Sequence, residues 1–314
     1  MWVLLVAGLV ATAALVIYLG FDEIASAVAG AGWGLLAVSL FHLAPLALAT
    51  LGWRAFLEGP RPFFALLHLR WISESVNNLL PVAQVGGDLV RVVLLQARGW
   101  PRAAAAASVV ADVTAGLAME LVFTLAGVAM LAASAGAADA WRIGIALLAL
   151  ALILAGFCAL QRRGLFRILA RALKRIGLGK AWAEFTGDPG QLDESLARIY
   201  ASRGAFLAGS TWRLAAWIAG SGEVWIAARA LGSDLSLPQA ILVESLGQAI
   251  RTVAFAIPGA LGVQEGSFVL LGRLVGLSPE IAVSLSLVKR VREILLGAPG
   301  LLAWAAETRR QRGS

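Results

Sequence analysis

Asn77-Asn78-Leu79-Leu80-Pro81-Val82-Ala83-Gln84-Val85-Gly86-Gly87-Asp88-Leu89-Val90-Arg91 is an apolar segment broken by a proline, a glycine pair and an acid. It has a counterpart in Phe255-Ala256-Ile257-Pro258-Gly259-Ala260-Leu261-Gly262-Val263-Gln264-Glu265-Gly266. In each, an acid follows the proline by seven residues: Asp88 after Pro81, Glu265 after Pro258. The likeness extends outward. Gly99-Trp100-Pro101 precedes a long apolar run, and so does Gly276-Leu277-Ser278-Pro279. Upstream, Arg70, Glu74 and Asn78 share one helical face, as do Glu244, Gln248 and Arg251. The pattern predicts a diverged internal repeat displaced by about 177 residues.

A Pro-Gly break frees backbone N–H and C=O groups that lipid cannot satisfy. Such backbone survives at membrane depth only when it is packed in protein or lines a wet cavity. Paired broken helices in two halves of a chain point to a transporter's binding site. Pro81, Gly86, Gly87, Pro258, Gly259 and Gly262 are the expected hinges. The competing account is a pair of ordinary proline kinks with coincidental acids.

The surrounding chain has the composition of a membrane protein. Of its 314 residues 60% are hydrophobic and 14% charged, where soluble domains carry about 25% charged residues. Apolar runs at Trp2–Leu19, Leu35–Trp53, Ala103–Ala133, Trp141–Leu160, Ala205–Leu231 and Ile281–Trp304 are long enough to span a bilayer. The expected fold is all-α: a polytopic integral membrane helical bundle over residues 1–314. It would have six full spans and two re-entrant helical hairpins, at about 70–98 and 238–276, or eight spans if each hairpin crosses twice. The first half covers 1–133 and the second 204–304. Between them, 161–203 is a loop in which Phe166, Leu169, Leu173 and Ile176 alternate with Arg167, Arg171, Lys174 and Arg175. That is a basic amphipathic helix suited to an anionic membrane surface or to packing under the bundle.

The net charge of +7 falls between the apolar runs, at 54–61, 98–102, 162–175 and 309–312. It is a topology signal and implies no nucleic-acid partner. The positive-inside rule places both termini in the cytoplasm, in a bacterial inner membrane. The first broken stretch then starts and ends inside. Three intervening spans invert the second, which makes an inverted repeat.

Ionisable residues at bilayer depth are costly, roughly 3 kcal/mol or more each, and usually face a cavity or a partner. Asp112 and Glu120 lie in the third span, Arg213 and Glu223 in the fifth, and Lys289, Arg290, Arg292 and Glu293 in the last. Lys289 and Glu293 are spaced to pair at i, i+4. That leaves Arg290 and Arg292 to meet Asp112, Glu265 or an anionic ligand, and arginine suits a lipid phosphate. Asp88 and Arg91, three apart, are expected to pair at the cytoplasmic mouth. The substrate-binding set is Asn78, Gln84, Asp88, Arg91, Asp112, Glu120, Glu244, Arg251, Glu265, Arg290 and Arg292. His42, alone in an apolar run, is expected to be a core residue. A single cysteine, Cys158, excludes an internal disulfide or a cysteine metal cluster, and no hydrolase, phosphate-loop or dinucleotide motif occurs. No cofactor, metal or catalytic residue is expected.

The run Asn78 to Arg91 resembles the first signature of the lysylphosphatidylglycerol synthase transmembrane, or flippase-like, family. Pro258 to Gly266, followed by Gly276-Leu277-Ser278-Pro279-Glu280, resembles its second. Gln264 stands where the family pattern has a basic residue. Leu80 to Gly87 with Ala107-Ser-Val-Val-Ala-Asp112 is similar to the hopanoid-biosynthesis-associated branch. The resemblance implies movement of a lipid between leaflets or handling of its head group. Aminoacyl-lipid synthases of the family add a soluble transferase domain. The chain ends ten residues after Trp304, so no enzyme activity of that kind is expected. A membrane-embedded enzyme acting on a lipid or polyprenyl phosphate is the alternative, with Asp88, Glu265 or Asp112 as acid or base. A scaffold holding partner enzymes of lipid biosynthesis would leave no mark in the sequence.

Overall fold

A computed structural model describes residues 22, 26, 29–59, 62–80, 86–134, 189–254 and 262–313. The first and fourth apolar runs, the amphipathic stretch 166–176, and Pro81, Gln84, Pro258 and Gly259 lie outside these residues. The described residues form ten helices: α1 Trp33–Phe41, α2 Leu43–Arg54, α3 Phe63–Leu79, α4 Gly86–Ala97, α5 Arg102–Ser134, α6 Pro189–Ala201, α7 Arg203–Ala230, α8 Leu237–Val253, α9 Val263–Leu274 and α10 Pro279–Gly313.

The run expected as one span at Leu35–Trp53 is α1 and α2, interrupted at His42. Pro45 explains the interruption. It has no N–H to give the Phe41 carbonyl, and its ring crowds that carbonyl. The bonds on either side persist, His42 N–H to Val38 and Leu46 N–H to His42. The start of α8 is fixed by a capping box, with Ser236 and Gln239 satisfying each other's backbone and Pro in the first turn. Gly262 caps α9 at φ 75°, a left-handed geometry that costs other residues strain.

One order of elements occurs twice. A helix of 17 residues, a helix of 12 and a long helix appear as α3, α4, α5 and again as α8, α9, α10. The long helices have 33 and 35 residues. α3 and α4 run antiparallel: Gly87 N–H donates to Asn77 Oδ1 near the break, and Arg98 donates to the Ala65 carbonyl at the far end. α8 and α9 do the same, through Arg251 to Gln264 at one end and Gln239 to the Val275 carbonyl at the other. α3 and α4 therefore form one antiparallel helix pair, and α8 and α9 another.

The hairpins exchange partners. α3 packs on α10, and α8 packs on α5. Both pairs are antiparallel: His68 meets Glu307 while Leu79 meets Gly297, and Thr252 meets Glu120 while Ser245 meets Gly127. α1 and α2 run antiparallel to α7, joined by small residues that let backbones approach. Gly34 meets Ala230, Gly222 meets Phe41, and Gly52 meets the Gly209 carbonyl. α8 runs in the same sense as α10, with Glu244 at Lys289 and Arg251 at Glu293, so α3 and α8 point in opposite directions.

The burial pattern is that of a membrane protein: charge within, hydrocarbon without. Trp33, Leu40, Phe64, Leu207, Leu270 and Leu302 are exposed, while Arg91, Asp112, Lys289 and Arg290 are buried. Two apolar clusters flank the charges. One gathers Trp53, Leu69, Ile72, Leu95, Ala111 and Leu196; the other gathers Val38, Val224, Val243, Phe268, Leu285 and Val288. Trp33–Arg54 and Arg102–Ala133 are, among the described residues, long and apolar enough to cross a membrane.

Candidate functional site: a charged network between the hairpins

Four clusters of charged and polar side chains lie inside the bundle. In the first, Asp112 of α5 is 1% exposed, and its Oδ2 accepts from Arg70 Nη1 at 2.9 Å and Arg91 Nη1 at 2.7 Å. Arg213 Nε of α7 stands 3.7 Å from Oδ1. Arg91 also donates to Asp88 Oδ1 at 2.8 Å, and its guanidinium lies over the Trp53 ring. One carboxylate thus organises three cations from three helices. Gly116, a turn after Asp112, has no side chain because the Arg213 guanidinium occupies that space.

The second cluster belongs to the other hairpin. Arg251 of α8 donates to Glu293 at 2.9 Å, to Gln264 at 3.1 Å and to Asn78 at 3.3 Å. Arg290 reaches Glu265 Oε1 at 3.2 Å and Glu293 Oε2 at 3.1 Å. The Arg251–Asn78 bond ties the end of α3 to α8 and joins the two hairpins directly. The third cluster is Lys289 Nζ to Glu244 Oε2 at 2.7 Å, with Gln248 on the other oxygen at 2.8 Å.

The fourth centres on His42. Its Nδ1 is 2.8 Å from Glu223 Oε1 and its Nε2 is 2.7 Å from Glu74 Oε1. Arg292 completes it, 2.9 Å from Glu223 and 3.9 Å from Glu74. Glu120 stands apart from these four and accepts from the Thr252 hydroxyl, linking α5 to α8.

Asp88 does pair with Arg91, and Arg290 does meet Glu265. The expected Lys289–Glu293 pair does not form. The two lie one turn apart on α10, but Lys289 turns to Glu244 on α8, and Glu293 is taken by Arg251 and Arg290. Arg292 faces Glu223 and Glu74 rather than Asp112. His42 is a largely buried, satisfied histidine, as expected, and its partners are carboxylates from two other helices. The signal that could have marked it is Pro45 three residues on, which opens the helix there. Arg70, Glu74, Arg213, Glu223, Lys289 and Glu293 also belong to the network although the expected binding set omitted them. Sequence spacing shows which residues share a face, not which other helix that face meets.

Among the described residues no group of His, Cys, Asp or Glu has the arrangement of a metal site. A cavity of about 400 Å³ opens at the basic end, lined by Glu58, Leu66, Leu69, Leu95, Arg98 and Trp100. It is separate from the charged network.

The family model for the lysylphosphatidylglycerol synthase TM region matches residues 4–300. The chain belongs to that family. A UPF0104 membrane protein of Methanothermobacter thermautotrophicus is 25% identical, over 96% of this chain and 94% of the relative's length. No solved structure matches. Membership in the lysylphosphatidylglycerol synthase transmembrane family makes this an all-helical membrane protein of a family linked to lipid biology.

Proposed function

We propose that the protein is a lipid translocase, moving a lipid with a polar or anionic head group between leaflets through the space between the two hairpins. The observation that carries this is the charged network. The first hairpin brings Asp88 and Arg91 to the network, the second brings Glu265 and Arg251, and Asn78–Arg251 joins them. Charges buried at this density exceed what packing apolar helices needs, and each is costly unless it serves a polar path. The opposed directions of α3 and α8 support an inverted repeat of six spans and two re-entrant hairpins. With the basic end, which gathers Arg98 and Glu307, in the cytoplasm, Asp88 and Glu265 would each serve one gate of an alternating-access cycle.

Arg91, Arg251, Arg290 and Arg292 are the groups for a head-group phosphate, since arginine can donate two parallel bonds to it. The resident carboxylates would be displaced in turn. The family's hopanoid-associated branch suggests a polycyclic or isoprenoid lipid, and partner enzymes of that synthesis are proposed with it. Location in the bacterial inner membrane with both termini inside belongs to the same proposal.

The test is reconstitution in vesicles carrying fluorescent phosphatidylglycerol, with lipid movement followed by quenching from outside and lipid chemistry by mass spectrometry. A translocase moves the probe unaltered. Asp88→Asn and Arg91→Ala should each abolish movement while the protein stays monodisperse. A chemically changed lipid would instead indicate a membrane-embedded enzyme. In a Cys158→Ser background, single cysteines at Ala97 and Ser278 should label with an impermeant thiol reagent from opposite sides. Labelling from the same side rules out the inverted arrangement.

A further inference from the structure

His42 is contacted by a carboxylate at each ring nitrogen, 2.8 Å on one side and 2.7 Å on the other. A neutral imidazole has one N–H and one bare nitrogen, and an ionised carboxylate only accepts. Both contacts therefore need one proton beyond those of a neutral ring and two carboxylates. With that proton, Glu74, Glu223, Arg292 and His42 sum to zero charge. Without it, a bare nitrogen faces carboxylate oxygen at hydrogen-bond distance, and one contact must open.

The surroundings supply what happens next. Arg292 Nη1 stands 3.5 Å from His42 Nε2 and 3.9 Å from Glu74 Oε1. When Nε2 is bare it can accept from Arg292, and Glu74 is released from the ring. Glu74 is the more open carboxylate, its side chain 32% exposed against 4% for Glu223. The four groups sit on four different elements: the α1–α2 interruption, the first hairpin, α7 and α10. Other charges facing the cluster are Arg70, a turn from Glu74 on α3, and Lys289, a turn from Arg292 on α10 and bonded to Glu244 of α8. No other charged residue lies on α1 or α2 before Arg54.

We propose that His42, Glu74 and Glu223 bind one exchangeable proton, and that its uptake and release couples lipid movement to the proton gradient. This rests on the translocase function proposed above and gives it an energy source. The proton enters from water through Glu74 and fixes α2 to α3 and α7 through His42. On leaving to water it frees Glu74, and the first hairpin can swing from the ring while Arg292 holds it. One proton taken up on one side and released on the other balances the cycle; no other reactant is needed.

Two arms test this. The chain has two histidines, and His68 lies at the basic end beside Glu307. His68→Gln protein with 15N-labelled histidine in lipid nanodiscs leaves His42 as the observed ring. Its nitrogens should change from the doubly to the singly protonated form between about pH 5 and about pH 10, the range a perturbed histidine can cover. Glu74→Gln should shift that change. A ring in one form throughout, whether doubly protonated or neutral, does not exchange a proton over this range and overturns the proposal, whatever the lipid result.

In vesicles carrying fluorescent phosphatidylglycerol and a trapped pH dye, with membrane potential clamped, reversing the pH gradient should change the rate of lipid movement by about fivefold or more, a typical coupling. Proton flux should appear with it. His42→Gln should leave any remaining movement indifferent to the gradient. Lipid movement that ignores the gradient in wild type overturns the coupling and leaves the translocase standing. Proton flux with no movement of unaltered lipid overturns the translocase itself and the coupling with it.

Discussion

The two hairpin units share a backbone plan and differ in where they carry charge. In the first, cations sit on the short helices, Arg70 on α3 and Arg91 on α4, and the long helix α5 supplies the acid Asp112. In the second, the long helix α10 supplies Lys289, Arg290 and Arg292 along with Glu293, and the short helices supply Glu244 and Glu265 along with Arg251. The displacement of about 177 residues that relates Asp88 to Glu265 also relates Asp112 to Lys289 and Glu74 to Arg251. The acids at the helix starts keep their sign, whereas the other two pairs reverse it. Each unit meets most of its charge internally, Asp112 with Arg70 and Arg91, Lys289 with Glu244, and Arg251 with Glu293, while Arg292 and Glu74, 3.9 Å apart, bring the two units' charges together.

The sharpest way to break this comparison is to remove the acid that serves most cations. Asp112→Ala strands Arg70 and Arg213 and leaves Arg91 with Asp88 as its carboxylate partner, and losing one side of a buried pair costs roughly 3–5 kcal/mol. Size-exclusion chromatography in detergent should show no monodisperse protein. If Asp112→Ala runs as a sharp peak near wild-type thermal stability, Asp112 is not the hub of the first unit.

The related position in the second unit serves one acid, so its loss should be smaller and reversible. Lys289→Met should lower stability by up to about 3 kcal/mol, and Lys289→Met with Glu244→Gln should recover much of that, because no buried charge is left alone. Thermal unfolding of the two singles and the double measures the coupling. Additive losses would show that Lys289 and Glu244 do not act as a pair.

Two glycines sharpen the comparison further. A Cβ at Gly87 would fall 1.9 Å from the Ser73 carbonyl oxygen, whereas one at Gly266 meets nothing within 4 Å. Gly87→Ala should force α3 and α4 apart at a cost of about 1–3 kcal/mol. Gly266→Ala should be neutral or stabilise α9 by up to about 1 kcal/mol through helix propensity. Equal effects on melting temperature would mean that the first hairpin is not closed as tightly at its break as the structure has it. The smallest effect belongs to the basic end. Glu307→Gln loses contacts to Arg98 and His68 that are part exposed, and should change stability by less than about 1 kcal/mol. A larger loss in the same unfolding assay would make this end a structural clasp.

The places where the helices stop were legible because proline and glycine act locally. They remove a donor or permit a left-handed φ wherever they occur, so Gly262 at φ 75° and the break after Leu80 follow from residue type alone. Asp88–Arg91 was legible because i, i+3 neighbours on a helix meet without help from other elements. Lys289 shows the limit of the same rule. Its i+4 neighbour Glu293 was within reach, but α8 and α9 brought Glu244 and Arg251 to α10, and buried partners outcompete a pairing along the helix surface.

The amino-acid order by itself determined that the chain is a membrane protein of apolar helices, where its two breaks fall, and which residues carry charge into the bundle. Those properties depend on residue type and on spacing within one helix. The tertiary structure alone decided that α3 lies on α10 and α8 on α5, that Asn78 reaches Arg251, and that His42 stands between Glu74 and Glu223. These partners are separated by 32 to 181 residues. Nothing in local periodicity encodes such a meeting. It follows from helices packing so that most buried charges find an opposite, because in hydrocarbon an unpaired one is costly.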